Sequence, residues 1–304
     1  MMKDQISRGL AEGGTIIVAG LVDTITVERA RSVHDTYPTA SAALGRLLSG
    51  ALLLASSLKE GQKVFIQVAG DGPLKEMVAE ADWLCRARGY VRRPHIHLPL
   101  KEGKLDVGGA VGSGFLNVIK DLGLREPYRG TVAIQTGEIA EDIAYYLNVS
   151  EQVPSVVSLG VYVGEDNSVK ASGGFLIQAL PEARDETIDY LEARIKSLRP
   201  VSSMVLDGMG PAGIMEEAVG LPVKTIESKD VSYYCPCGKE RVLDAITTLG
   251  AAELEGYIKR GKPVEVVCRF CKTKYAVTKH DLAAVLKGLR EEGAGGEMKK
   301  SATG

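Results

Sequence analysis

Four of the five cysteines stand in two close pairs, Cys235 and Cys237 in "YYCPCGKER" and Cys268 and Cys271 in "VVCRFCKTKY". One residue separates the first pair, two separate the second, and 30 lie between Cys237 and Cys268. Thiols so placed can staple, bind metal or sense an oxidant. Four soft thiolates brought to tetrahedral distance suit Zn²⁺, with Zn–S near about 2.3 Å in a closed structural site. Two short-range pairs joined by a longer loop is how small zinc modules are built. Four sulfurs leave no open position for a catalytic water, so hydrolysis at such a zinc is not expected.

Two readings of that site stay open at this point. One is an inert zinc ribbon that holds a C-terminal module together. The other starts from what removal of the metal would do. Binding to such a site contributes roughly 10 to 16 kcal/mol, as much as the roughly 5 to 15 kcal/mol that stabilises a whole domain. A module reaching from Val231 to Leu286 could not stay folded without it. Each pair is also close enough for its two sulfurs to join, closing a very short loop that constrains the chain far less than the metal does. Oxidation would then exchange a clamp across the module for local links, which is a switch from folded to unfolded.

The elements that must position these residues follow from composition and pattern. With 304 residues and 45% hydrophobic content, the chain can bury one sizeable core plus a smaller module and should fold without disulfides. Alternation of apolar and polar residues predicts strand in parts of Thr15 to Val27 (Ile25, Val27) and in Val64 to Val68, with "GDGP" at Gly70 to Pro73 as a turn. Further strands are expected at Phe115 to Ile119, Thr131 to Gln135, Val156 to Val163 and Phe175 to Leu180. Helices are expected at Ser41 to Leu58 and Ile139 to Leu147. The fold class is therefore α+β: an N-terminal antiparallel-sheet domain with helices over 1–180, then a helical linker over 181–230, then a small C-terminal zinc-binding domain over 231–290. Within the linker, Ile188, Leu191, Ile195 and Leu198 form a narrow apolar stripe on a charged background, which must pack on something. The tail over 291–304 has almost nothing apolar to bury and is expected to be disordered.

With these motifs the sequence resembles the heat shock protein 33 group, the redox-regulated holdase chaperones. The resemblance covers nearly the whole chain. It rests on "CPCGKER" and "CRFCKTKY" at their separation, and on "PTASAALGRLLSGALLL", "GDGPLK", "RGY", "SEQVPSVVSLGV" and "ASGGFLIQALP" in that order. It implies that Cys235, Cys237, Cys268 and Cys271 bind Zn²⁺ as thiolates in a reduced, inactive protein. It further implies that oxidation forms Cys235–Cys237 and Cys268–Cys271 disulfides, releases zinc, unfolds the C-terminal module and destabilises the linker. The exposed apolar surface would hold unfolding client proteins without ATP, in a homodimer, as a cytoplasmic stress response. One departure is visible: Pro236 stands between the first two cysteines and Gly238 after them, where the family often has an acidic or polar residue and Ser. Pro236 fixes one φ angle between the sulfurs that would have to join.

Other features point elsewhere or exclude functions. "GMGPAG" at Gly208 to Gly213 fits the letter of a dinucleotide fingerprint, with apolar "MVL" before it and Glu227 where a ribose-binding acid would stand, but the unit is short and no further βα units follow. No phosphate-binding P-loop, zinc-protease helix or nucleophile elbow occurs, which argues against the common hydrolases and for a non-enzymatic protein. Net charge is −2, and between Lys229 and Asp281 ten Lys/Arg face seven Asp/Glu, a surplus of three. That is a weak footprint for nucleic acid, although a zinc ribbon binding nucleic acid is the alternative of a different class. Met1 to Gly9 is too polar for a signal peptide, and the apolar stretch Ala42 to Leu58 falls short of the roughly 18 residues of a membrane span. A cytosolic location follows as an expectation, in which close cysteine pairs are metal ligands or redox groups more often than permanent bridges. His95 and His97 fit a solvated strand edge better than a metal pair, His280 is left over once four thiolates fill the shell, and Cys85 reads as a small buried hydrophobe.

Overall fold

A computed structural model describes residues 3–301, with side chains for all of these except 192 and 291–301. The chain divides into two compact units, Met1–Tyr234 and Cys235–Gly304.

The first unit begins with β1 (Gln5–Ala11), β2 (Ile16–Val22), α1 (Thr24–His34) and α2 (Pro38–Ala55). It continues through β3 (Lys63–Gly70), β4 (Glu76–Asp82), β5 (Arg86–Val91), α3 (Val107–Val111), β6 (Gly114–Asp121) and β7 (Tyr128–Ala133). Then come α4 (Ala140–Ser150), β8 (Ser155–Val163), β9 (Val169–Ala179), α5 (Asp185–Ser197), α6 (Val201–Leu206), α7 (Pro211–Val219), β10 (Lys224–Asp230) and β11 (Ser232–Tyr233). Two sheets result, in the orders β10-β1-β2-β9-β8 and β11-β5-β4-β3-β6-β7. Every pairing is antiparallel except the two-residue β11 beside β5.

Helix α2 packs against strands of both sheets, and its leucines and alanines form the centre of the main core. It has the length and hydropathy of a membrane span, where the sequence expectation puts this stretch short of one, but 89% of it is buried inside the unit, as in a core helix. The opposite face of the five-stranded sheet carries Ile16, Val18, Phe175 and Ile177 in a second core, covered by Met204 of α6 and by Ile214, Met215 and Val219 of α7. That cover lies close to the sheet. A Cβ on Gly20 of β2 would stand 2.3 Å from the Pro211 carbonyl oxygen, so only glycine lets α7 start there. Of the apolar stripe along α5, Leu191 is buried and Ile195 and Leu198, the last just past the helix, pack against the second core, while Ile188 is only half-buried and outside it.

Three differences from the sequence expectations have identifiable causes. Ile25 and Val27 belong to α1 rather than to a strand, because β2 ends at Val22, the chain turns at Asp23, and the Asp4 carboxylate accepts the Ile25 and Thr26 N–H groups of the first helical turn. The segment 181–230 is not helical throughout: β10, a largely polar strand, is recruited by β1, with Gln5 opposite Asp230 and Leu10 opposite Lys224. Val231 is buried in the main core and β11 pairs with β5, so the second unit begins at Cys235.

The second unit holds α8 (Lys239–Thr247), α9 (Ala251–Arg260), the hairpin β12 (Val264–Val267) and β13 (Lys274–Val277), and α10 (Lys279–Ser301). Its own small core is Val242, Ile246, Leu254, Val277, Leu282 and Leu286. Helix α10 runs on through residue 301, where the composition predicts a disordered tail from 291; residues 302–304 of that tail lie outside the described residues. Leu282 and Leu286 anchor its first half, and once a helix is nucleated each further residue adds one hydrogen bond for one residue ordered.

Candidate metal centre

Cys235 and Cys237 lie in the irregular stretch between β11 and α8, and Cys268 and Cys271 in the turn between β12 and β13. The turn is tight: Cys268 N–H donates to the Thr273 carbonyl (3.0 Å), and Lys272 N–H donates to the Cys268 carbonyl (2.9 Å). Lys272 takes a left-handed conformation (φ 58°) to close it. Pro236 is half-buried, and no cis peptide occurs among the described residues. Around the turn, the Lys239 ammonium at the start of α8 meets the Asp281 carboxylate at the start of α10 at 2.8 Å. Lys239, together with the Thr278 backbone and hydroxyl, holds the Asp281 carboxyl well below the usual carboxylate range.

The four sulfurs converge, all within 4.8 Å of one another and all half-buried. Cys235 and Cys268 are 3.8 Å apart, and Cys237 and Cys271 3.1 Å. A tetrahedron of Zn–S bonds near 2.3 Å puts its sulfurs about 3.8 Å from each other, so the cluster has the size of a four-thiolate site. The donor set is sulfur alone, which favours a soft or borderline divalent ion over Ca²⁺ or Mg²⁺. These four residues can hold one metal ion.

Two hydroxyls border the cluster. Tyr275 O–H donates to Cys237 Sγ at 3.0 Å, and Thr273 Oγ1 lies 3.1 Å from Cys271 Sγ. Burial pushes the Cys237 thiol up to about 12 despite the Tyr275 bond. At Cys271 burial acts in the same sense, but hydrogen bonding with Thr273 and Cys237 outweighs it and brings the thiol down to about 6. Cys268 is raised, first by burial. The hydrogen bond to Cys237 in turn raises the Tyr275 phenol to about 12. Of the closest pair, Cys271 is therefore the more acidic thiol and Cys237 the less acidic. Neither Thr273 nor Tyr275 was singled out by residue type. The signal was their spacing, since residues two apart on extended chain share a side.

The remaining candidates lie elsewhere. His95 and His97 are exposed in an irregular segment, not on a strand, and His95 Nε2 pairs with Asp35 at 3.0 Å beside the Tyr37 ring. Strand β5 ends at Val91, before Arg92, Arg93 and Pro94, so the two histidines follow the strand instead of lying on it. His280 is exposed at the start of α10 and is not among the converging ligands. Cys85 is fully buried in the main core, where burial raises its thiol to about 11. "MVL" before the glycines is the end of α6 rather than a strand, and Glu227 sits in β10 near Arg8 and Lys229, so the fingerprint lacks its strand–turn–helix setting.

Comparison with known proteins agrees with this arrangement. The family described as "Hsp33 protein" matches residues 4–278. A "33 kDa chaperonin" of Thermodesulfovibrio yellowstonii is 55% identical over 286 residues, 94% of this chain and all of the relative. One from Geobacter sulfurreducens is 45% identical over 291 residues, 95% of this chain and 97% of the relative. The crystal structure of a 33 kDa chaperonin (heat shock protein 33 homolog) from Thermotoga maritima superposes with a TM-score of 0.87 at 36% identity, covering 95% of this chain and 100% of that one.

Proposed function

The chain belongs to the Hsp33 family, and from that membership and the sulfur cluster we propose that it is a redox-regulated, ATP-independent holdase for unfolding proteins. In the reduced protein Cys235, Cys237, Cys268 and Cys271 would hold Zn²⁺, which when bound supplies a cross-link between the start of α8 and the β12–β13 turn. Oxidation would join Cys235 to Cys237 and Cys268 to Cys271 and leave no thiolates for the ion. The observation that carries this reading is the convergence of four sulfurs in a unit whose own buried core, among the described side chains, is six apolar residues. Such a core is too small to hold the unit folded alone, since domains of this size need a metal or disulfides.

The consequence for clients runs through the segment 181–230, which we take as the redox-sensitive linker. It ends in β10 and leads through β11 directly to Cys235. Were it to come away, the sheet face bearing Ile16, Val18, Phe175 and Ile177 would be uncovered, and β1 would become an edge with unpaired backbone groups. An apolar face beside a free strand edge is what an unfolding polypeptide binds. The working form would be a homodimer in the cytoplasm. Treating the reduced, zinc-loaded protein with peroxide under mild warming should release zinc and suppress client aggregation on the same time course. Zinc release with no suppression at stoichiometric protein would sink the proposal.

A further inference from the structure

Thr273 and Tyr275 bring two hydroxyls to the sulfurs from one short stretch of chain, and the redox reading does not use them. Tyr275 is the more firmly held. Its ring packs against the small core of the second unit, and its backbone is paired with Val266 of β12, so packing fixes where the hydroxyl points. We infer that Tyr275 is a positioning residue for Cys237, whose sulfur it restrains from attack on peroxide by donating a hydrogen bond to it at 3.0 Å while the second unit stays folded. This rests on the redox reading above and adds to it a residue that sets how readily the switch is thrown.

The chemistry shows where the restraint acts. A thiolate attacks one oxygen of hydrogen peroxide with a sulfur electron pair, the S–O bond forms as the O–O bond breaks, and hydroxide leaves. The other thiolate of the pair then displaces hydroxide from the sulfenic acid to give the disulfide. Two electrons pass from the two sulfurs to the peroxide, which ends as two hydroxides. The first step needs the electron density that a charge-assisted O–H···S bond draws on, and nucleophilicity falls as that density is stabilised. Because the ring is part of the core, loosening of that core withdraws the hydroxyl and frees the sulfur. The same contact therefore makes oxidation of Cys237 respond to the folding state of its unit.

The test is Tyr275→Phe in the full chain, which removes one oxygen and keeps the ring. Zinc release by hydrogen peroxide is followed with a chromophoric chelator, and the sulfur-to-metal charge-transfer band is recorded on Co²⁺-substituted protein. Loss of an outer-shell partner changes metal-site behaviour by about 10-fold or more, so the variant should release zinc about tenfold faster than wild type. Its charge-transfer band should move to longer wavelength, since a thiolate without the hydrogen bond is the better donor. An unchanged release rate overturns the inference. So does faster release with an unmoved band, which would mark loosened packing alone. If the wild-type protein itself keeps its zinc under peroxide, the redox reading fails first, an outcome distinct from equal release by both proteins.

Discussion

Ile214→Ala tests the proposal that the linker's cover over the sheet, rather than the four-cysteine unit itself, is what keeps clients out. Ile214 is fully buried on α7 against the second core, and it lies in the other compact unit from the four cysteines. Truncating a buried Ile to Ala costs about 2 to 5 kcal/mol, through lost transfer energy and the cavity left behind. That corresponds to a rise of about 30-fold to several thousand-fold in the opening equilibrium of the segment that the side chain anchors. Elements that open do so below the global stability of about 5 to 15 kcal/mol, so this loss is a large share of what holds α7 down. Three measurements on the reduced protein decide the matter: zinc content, amide exchange over 16–22 and 201–219, and light scattering from an aggregating client. The expected result is a full complement of zinc, faster exchange in both segments and partial suppression of aggregation with no oxidant present. Faster exchange without suppression would show that the sheet face is not where clients bind. Unaltered exchange would refute the packing argument itself.

Two further outcomes follow from other parts of the molecule. Cys268→Ser removes one of the four converging sulfurs, and the reduced variant should lose zinc and show unprotected amides from 235 to 290, while the first unit keeps its protection; a variant retaining metal and protection would contradict the clamp. Asp23 is fully buried, accepts a hydrogen bond from Ser49 and leaves Oδ1 without a partner, and burial raises its carboxyl from 3.8 to about 7, with Asp4 adding to the rise. An acid raised in the folded state favours folding fully below its unfolded value. That contribution is lost as pH climbs from about 4 to about 7. The first unit of wild type should therefore fall in Tm between pH 5 and pH 7.5 by more than that of Asp23→Asn, measured by calorimetry. Parallel profiles would show that Asp23 does not carry the proton.

What could be read in advance depended on whether the cause was local. The cysteine cluster was legible because two short spacings constrain where four sulfurs can go, and the structure brings all four within 4.8 Å. β3, β6 and β8 were legible because burial alternates along much of each, and β9 and α2 because apolar residues run through them. β4, with Glu76, Glu80 and Asp82, and β5, with Arg86 and Arg88, lacked that signal because their outward charges pair across the strands: Arg88 meets Glu80 at 2.9 Å and Arg86 meets Asp82 at 2.7 Å. β10 was illegible for a stronger reason. "KTIESKD" has no buried residue at all, and only an open edge on β1, more than 200 positions earlier, makes it a strand. Tyr275 was missed because the hydrogen bond that gives it a role depends on the fold of the hairpin, not on residue type.

A switch of the kind proposed needs one part that yields and one that does not, and packing separates the two in this chain. Helix α2 buries 16 of its residues, among them Leu44, Leu47, Leu48, Leu52 and Leu53, so opening it would expose most of the main core. Helix α5, at the other extreme, buries only Thr187 and Leu191 among its described side chains and leans on hydrogen bonds from Arg194 to the Glu217 carbonyl and from Tyr190 to the Gly220 carbonyl. Between them, α6 and α7 carry the apolar contacts, and β10 is held by backbone pairing and exposed ion pairs such as Lys3–Asp230, which contribute about 0 to 1 kcal/mol each. Loss of structure entering at Cys235 therefore meets, in order, a two-residue strand, a polar edge strand and two short helices seated on the second core before it reaches α2. That ordering predicts that the segment between β9 and the cysteines opens as one step while strands β1 to β9 keep their pairing, leaving a folded platform on which an unfolding protein can be held.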